Sequence, residues 1–357
     1  MDLERLVSRY FGRGECSSAA MKRAVEQWYQ LYFEDRAKEG YDPCLRLPYT
    51  IVRKLTSAVF AEYEGPAQLQ SVAREAVSHA LIGGESYLKP LPGGWIVIPR
   101  TNVMVTVRSI TGEPVEVFLA EQSVYNGKEY LLMERRYRAM DGLEIEHRLF
   151  RENKQVRMSE HPAYEGLPEH DFVSGVEGVG LVRVHTPMVN CIDGSREGVS
   201  VYAPAVGLLQ RIAENEAQLA GEFKRGQSRL VVSRDMLRGG QLMDDTFISL
   251  DEDPDRVGIT VFAPELREQS YLNRQQAYLR SVENAVGLKR GLLSQVEAVD
   301  RTATEITSSE GEYAATIRDF QKMWEQAAQQ ALELRAQLEG REAEEVQISW
   351  GDGVLGN

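Results

Sequence analysis

An α+β fold is predicted for this chain of 357 residues by three features of its sequence. From Ser18 to Ile82, and again beyond residue 200, apolar residues recur at three- and four-residue spacing, as in helices with one buried face. Between Ser86 and Phe150 the pattern changes to alternation rich in β-branched and aromatic residues, punctuated by turn dipeptides. Near the end, Tyr313, Ile317, Phe320, Trp324, Ala327, Ala331, Leu334 and Leu338 follow one another at spacings of 4, 3, 4, 3, 4, 3 and 4. A seam of that period lies along one helix face and needs a cover, from this chain or from another.

The elements follow in order. Residues 18–38 read as a helix behind a Ser17–Ser18 cap, with Met21, Val25, Trp28 and Tyr32 on one side. Pro43 and Pro48 are read as breaks. A second helix is expected in "YTIVRKLTSAVFAEY", burying Ile51, Val52, Leu55, Val59 and Phe60. A third is expected over 67–82, stopped by Gly83–Gly84. The alternating stretch predicts an antiparallel meander of about five strands, turning at Pro92–Gly93–Gly94, Thr111–Gly112, Asn126–Gly127 and Asp141–Gly142. Residues 151–198 read as loop-rich, with one strand in "GLVRVHTP". A long helix is expected from Ser200 to Gly226, tolerating Pro204 in its first turn and aligning Ala205, Leu208, Leu209, Ile212, Leu219 and Phe223. Short strands are expected at 229–233, 246–250 and 258–262, then a helix over 267–286 presenting Tyr271, Leu272, Tyr278, Leu279, Val282 and Val286. After "GLKRGLLSQVEAVD" comes the seam helix; Thr302, Thr304, Ser308 and Ser309 read as its capped start. In "EEVQISWGDGVLGN", which closes the chain, a short strand and a tail are expected.

Composition narrows the function. The length suits two or three domains, and 43% hydrophobic and 27% charged residues describe an ordinary folded chain. No apolar run approaches the ~18 residues of a membrane span, and the charged N-terminus lacks a signal-peptide core, so a cytoplasmic setting is expected. Three scattered cysteines make neither a disulfide framework nor a metal spacing. A net charge of −13 argues against a basic nucleic-acid patch, though acidic walls can surround DNA without gripping it.

Each candidate for chemistry fails on context. "GVEGVG" (175–180) has the wrong glycine order for a dinucleotide loop and leads into a strand. "DEDPD" (251–255) opens like a calcium loop, but Arg256 stands at the glycine position and Phe262 at that of the bidentate Glu. His161, His170 and Asp171 match no ligand spacing, and His79 sits alone on an apolar helix. Cys191 has His185 near it and nothing further to mark a nucleophile. Neither a metal nor a cofactor is expected.

Three motifs in a fixed order carry a resemblance. "TATEITSSEGEYAATIRDFQ" resembles a T-A-T-E-V/I segment leading into a long helix. "PYTIVRKLTSAVFAE" follows a W-x-x-x-Y element, Trp28 to Tyr32. "GVSVYAPAVGLLQRI" resembles a G-x-S-x-Y/F lead-in to a helix. With these, residues 20–350 resemble the portal proteins of tailed bacteriophages, in particular the siphophage family of Gram-positive hosts. The resemblance implies a portal fold. Its α/β wing would be residues 1–198 and the long wing helix 301–340. A two-helix stem would be 199–226 and 267–286, around a small β-containing clip, 227–266. The channel loop would be 287–300 and the tail 341–357, with the family's helical crown reduced or absent.

The function so implied is a ring, usually of twelve subunits, at a capsid vertex of the virion, assembled in the host cytoplasm. DNA would pass through it non-specifically, and it would dock the terminase large subunit, a head–tail adaptor, and the major capsid and scaffolding proteins, without catalysis or membrane contact. Within that mapping Lys289 and Arg290 are candidates for transient phosphate contact or, equally, a basic cap after Val286. Asp244, Asp245, Asp251, Glu252, Asp253 and Asp255 would offer an acidic docking face. Tyr313, Ile317, Phe320 and Trp324 would form a wing or subunit seam. Two other readings stay open: a different head–tail connector or adaptor ring, and an enzyme with an unrecognised site.

Overall fold

The structure is a computed structural model describing residues 3–33, 46–225, 229–231, 260–262, 267–295 and 303–351. Its class is α+β. Helix α1 (Leu3–Phe11) buries Leu6 and Val7 against Met104, Phe118, Leu131, Met133 and Phe150 of a sheet face. Helix α2 (Ala19–Phe33) starts where the Ser18 hydroxyl accepts the Met21 N–H at 3.1 Å. The expected continuation to residue 38 lies outside the described residues.

Helix α3 (Leu47–Val59) contains Pro48 in its first turn instead of breaking there, because a first-turn N–H has no helical partner to lose. It buries Ile51, Val52, Leu55 and Val59. The helix expected over 67–82 is two pieces, α4 (Ala67–Gln70) and α5 (Ala73–Gly83). Small residues Ala73, Ala76 and Ala80 let α5 run through the middle of the core, against α2, α3 and the strands after it. It stops at Gly84, whose φ of 82° few other residues adopt and whose N–H reaches the Ala80 carbonyl at 2.7 Å.

The predicted meander is two sheets. Strands β2 (Glu85–Leu91) and β3 (Gly94–Pro99) form a three-stranded antiparallel sheet with β10 (Val182–His185). A 3-10 turn at Arg100–Asn102 then turns the chain into a second sheet. This runs β4 (Val103–Arg108), β5 (Pro114–Tyr125), β6 (Lys128–Arg138), β7 (Gly142–Arg151) and β8 (Lys154–Val156), with β9 (His170–Ser174) also on β7. Asn126 and Gly127 take φ of 49° and 70°, the geometry that closes a two-residue hairpin. Glu152 and Asn153 do the same at 51° and 61°. Strands β8 and β9 occupy a stretch read as loop.

Beyond a 3-10 turn at Ala203–Ala205 lies α6 (Val206–Arg225), then α7 (Glu268–Ala285). Between them β11 (Arg229–Val231) pairs antiparallel with β12 (Thr260–Phe262); the strand expected at 246–250 is outside the described residues. Phe223 is a correction: it is 43% exposed, while Asn215 takes a buried place on α6. The last helix, α8 (Ala303–Glu339), has 37 residues and would span about 55 Å. Thr304, Ser308 and Ser309 already lie inside it, and Thr302 is outside the described residues. The tail strand β13 (Ser349–Trp350) pairs with β1 (Tyr63–Glu64).

The seam of α8 is covered by its own chain. Ile317, Phe320, Trp324, Ala327, Ala331 and Leu334 belong to the main core, and Tyr313 and Leu338 pack against it half-buried. Trp324 is fully buried, lies edge-on to Phe60 and donates its indole N–H to the Tyr63 hydroxyl at 3.0 Å. Met323, Ala328, Leu332 and Ala336 are buried too, which widens the stripe beyond a two-helix seam. Among the described residues no helix is long and apolar enough to cross a membrane.

Truncating Trp324→Ala removes the largest side chain of this stripe and should cost about 3–5 kcal/mol in chemical denaturation. A loss under about 1 kcal/mol would mean that α8 is not packed this way.

Candidate functional site

The α6–α7 hairpin stands out as a construction. Its two helices run antiparallel: Glu222 pairs with Arg267, Glu216 accepts from Gln275 at 3.2 Å, and the Asn215 amide donates to the Tyr271 carbonyl at 3.1 Å. At the root, Leu209, Ile212, Leu279 and Val282 join the main core. Further out, Leu219 and Tyr271 are buried outside that core, next to the chain ends that lead to the β11–β12 ribbon. Gln210, Arg211, Glu214, Asn273 and Arg274 give the hairpin a polar outside.

Behind the root, α7 ends in a Schellman turn. Gly287, at φ 70°, donates to the Asn284 carbonyl at 3.4 Å and Leu288 to the Glu283 carbonyl at 2.9 Å. The Glu283 side chain, buried in the last turn of α7, organises residues 291–294. One carboxylate oxygen accepts the N–H groups of Gly291 (3.0 Å), Leu293 (2.5 Å) and Ser294 (2.8 Å); the other accepts the Ser294 hydroxyl at 2.7 Å. The described part of the proposed channel loop is therefore a built turn. Lys289 does not cap α7: its ammonium meets Glu310 of α8 at 2.6 Å, and the αL glycine does the capping. Arg290 is exposed.

The other sequence candidates separate. Tyr313, Ile317, Phe320 and Trp324 line up on α8, the last three inside the core and Tyr313 half-buried at its edge. Asp244, Asp245, Asp251, Glu252, Asp253 and Asp255 lie outside the described residues. His161 is stacked on Tyr164 at 4.5 Å, whereas His170 and Asp171 are exposed on β9. Burial lowers the pKa of His79. Among the described residues no group of three or more His, Cys, Asp or Glu could hold a metal ion. A cleft of about 710 Å³ lies between the two sheets, with an apolar wall that includes Ile96, Leu119 and Leu131. Of its charged residues, Lys89 and Glu134 are joined to each other, Glu134 also accepts from Arg136, and Glu121 accepts from the Tyr164 hydroxyl at 3.0 Å.

One cluster had no counterpart in the sequence reading. Glu85, fully buried at the start of β2, accepts from Arg183 (2.6 Å), Arg108 (2.9 Å), the Tyr87 hydroxyl (2.7 Å) and the Gly198 N–H (2.9 Å). Beside it Arg100 binds Glu197 and the Gly198 carbonyl. Burial pushes the Glu85 carboxyl upward, but the guanidinium groups of Arg108, Arg100 and Arg183 and the Gly198 amide outweigh it and hold it well below the usual carboxylate range. Every oxygen is occupied, so the cluster ties β2, β4, β10 and the 197–198 segment together and leaves no acid or base free. The signal in the sequence was a glutamate following a helix-stopping Gly–Gly, directly before an apolar strand. No protein-family model matches the chain, and no curated protein matches it.

Because the folded pKa of Glu85 is depressed, its stabilisation is complete above its unfolded value near ~4.3 and fades as pH falls below that. Glu85→Gln should cost about 3–5 kcal/mol at pH 7, since guanidinium groups are left buried without their carboxylate. In urea titrations the gap to wild type should narrow below about pH 4; a gap that does not change with pH would contradict this assignment.

Proposed function

We propose that the chain is the subunit of a portal ring of a tailed bacteriophage, a conduit for double-stranded DNA with no catalytic site of its own. The observation that carries this reading is the α6–α7 hairpin: two antiparallel helices rooted in an α+β body, with a small β ribbon inserted between them. In that role residues 1–198 with α8 are the wing, the hairpin is the stem and the 227–266 insert is the clip. A helix of 20 residues spans about 30 Å, enough to wall a channel when repeated round an axis. The ordered motifs of "TATEI", "PYTIVRKLTSAVFAE" and "GVSVYAPAVGLLQRI" support the same reading.

The chemistry agrees with a passive conduit. A net charge of −13 disfavours a strong hold on DNA, and Arg290 is an exposed cation on the turn behind the stem. Force would come from a separate ATPase, the terminase large subunit, docking with the head–tail adaptor at the clip. Capsid and scaffolding proteins would meet the wing at the capsid vertex of the virion.

Native mass spectrometry with negative-stain imaging should find a discrete ring near twelve subunits. A monomer at every concentration and salt would end the proposal, and a short ring without a stem would favour an adaptor. Within the ring, Arg290→Glu should leave assembly intact and lower DNA packaging several-fold; normal packaging would remove the proposed phosphate contact.

A further inference from the structure

The carboxylate of Glu283 lies in an unusual place. It sits in the last turn of α7, where the carbonyl ends of the helix oppose negative charge, and its residue is 1% exposed. Unlike Glu85 it faces no guanidinium among the contacts described. Its partners are three backbone N–H groups and one hydroxyl, all from residues 291–294. Successive amides converging on one anion make a nest, here built from the chain's own turn around the chain's own carboxylate.

We infer that Glu283 is an all-or-none latch that holds the turn 287–294, and with it Lys289 and Arg290, against the end of α7. The carboxylate is tolerated in the interior only while its donors are in place. Withdrawing one or two of them leaves a buried charge short of partners at the wrong end of a helix. The bonds are therefore lost together, with the carboxylate turning out to water. Two glycines bracket the exposed part of the turn, Gly287 at φ 70° and Gly291 at φ 94°. Glycine absorbs a backbone rotation with the least steric cost, so these are the hinges. The remaining ties are the buried side chain of Leu288, the half-buried Leu292 and Leu293 against the main core, the bonds from the Gly287 and Leu288 N–H groups to α7, the bond from the Gln295 N–H to the Gln276 side chain, and the Lys289–Glu310 pair. That pair is about two-fifths exposed on each side, and pairs in such positions contribute little. Glu283 is the one side chain that gathers four of these bonds at a single group, so the docking of residues 291–294 depends on it first.

The latch belongs to the single chain; only its use inside a channel rests on the portal reading. Its test accordingly reads the turn and not the ring. Lys289 and Arg290 are trypsin sites carried on the latched segment. In the full-length protein, Glu283→Ala removes both acceptor oxygens and with them all four bonds. Cleavage after Lys289 and Arg290 should then accelerate at least tenfold, with the melting temperature of the body little changed. Ser294→Ala should give a smaller acceleration, and Glu310→Gln almost none. A folded Glu283→Ala protein cut at the wild-type rate would overturn the latch, as would a Glu310→Gln protein cut as fast as Glu283→Ala. Should Glu283→Ala fail to fold, hydrogen exchange of the wild-type protein decides. A latch requires the amides of Gly291, Leu293 and Ser294 to share one protection factor, and three unrelated protection factors would refute it.

Discussion

The burial of the α8 stripe is the constraint on which the other elements depend. Its core joins side chains from α2, α3, α5, strands β2, β3, β7 and β10, the root of the hairpin and α8 itself into one continuous cluster. Trp324 ties α8 to Phe60 and Tyr63 at the end of α3, while Arg335, lying over Trp95, binds the Leu91 and Gly94 carbonyls at the tip of the β2–β3 hairpin. Further along, Gly287 sits so close to Thr316 that any side chain there would collide with it. The helix thus fixes the place of the N-terminal helices, the small sheet and the turn behind the hairpin together. Non-directional apolar burial does this over nearly its whole described length, and a few hydrogen bonds set the register.

Two buried glutamates show how the same residue type can produce a lock or a latch. Glu85 is compensated by charge: guanidinium groups surround it, and removing it strands cations that cannot leave. The neighbouring backbone is equally committed, since Gly84 and Gly198 approach so closely that neither has room for a Cβ. Among the described residues Glu283 is compensated by dipoles alone. Its donors belong to one short turn, and amides released from it can bond to water. The first arrangement joins elements far apart in sequence, and the second ties a turn to the helix directly before it.

How much of this was legible depends on the range of each signal. The seam of α8 was readable because helical periodicity is local, as were Gly84 as a stop and Asn126–Gly127 as a hairpin. The split of the meander into two sheets was not, because strand partners are chosen across the chain: β2 pairs with β10, a hundred residues on by the register Glu85↔His185. The Glu152–Asn153 turn lacks the glycine that usually announces φ > 0 at both positions. Phe223 matches its helix face by spacing alone, yet lies where the hairpin no longer has a core to face. No local pattern singles out Glu85 or Glu283, whose buried roles arise only when the fold places their donors. Both lie beside a glycine-marked helix end, where unpaired backbone groups gather.

Under the portal reading, an acidic chain is a physical advantage for a channel. Each cation held against a phosphate releases counterions and adds to affinity, so a wall rich in free lysine and arginine would grip the duplex and slow its passage. A conduit has to keep such contacts few and exchangeable. The turn behind the hairpin meets that condition by pairing Lys289 with Glu310 while Arg290 stays exposed. With one exposed cation from the turn of each subunit, a duplex would meet a ring of equivalent, weak positions and could move from one to the next. Sequence reading would need base-edge contacts from side chains that can enter a groove, and a guanidinium on a latched turn is suited instead to the phosphate backbone.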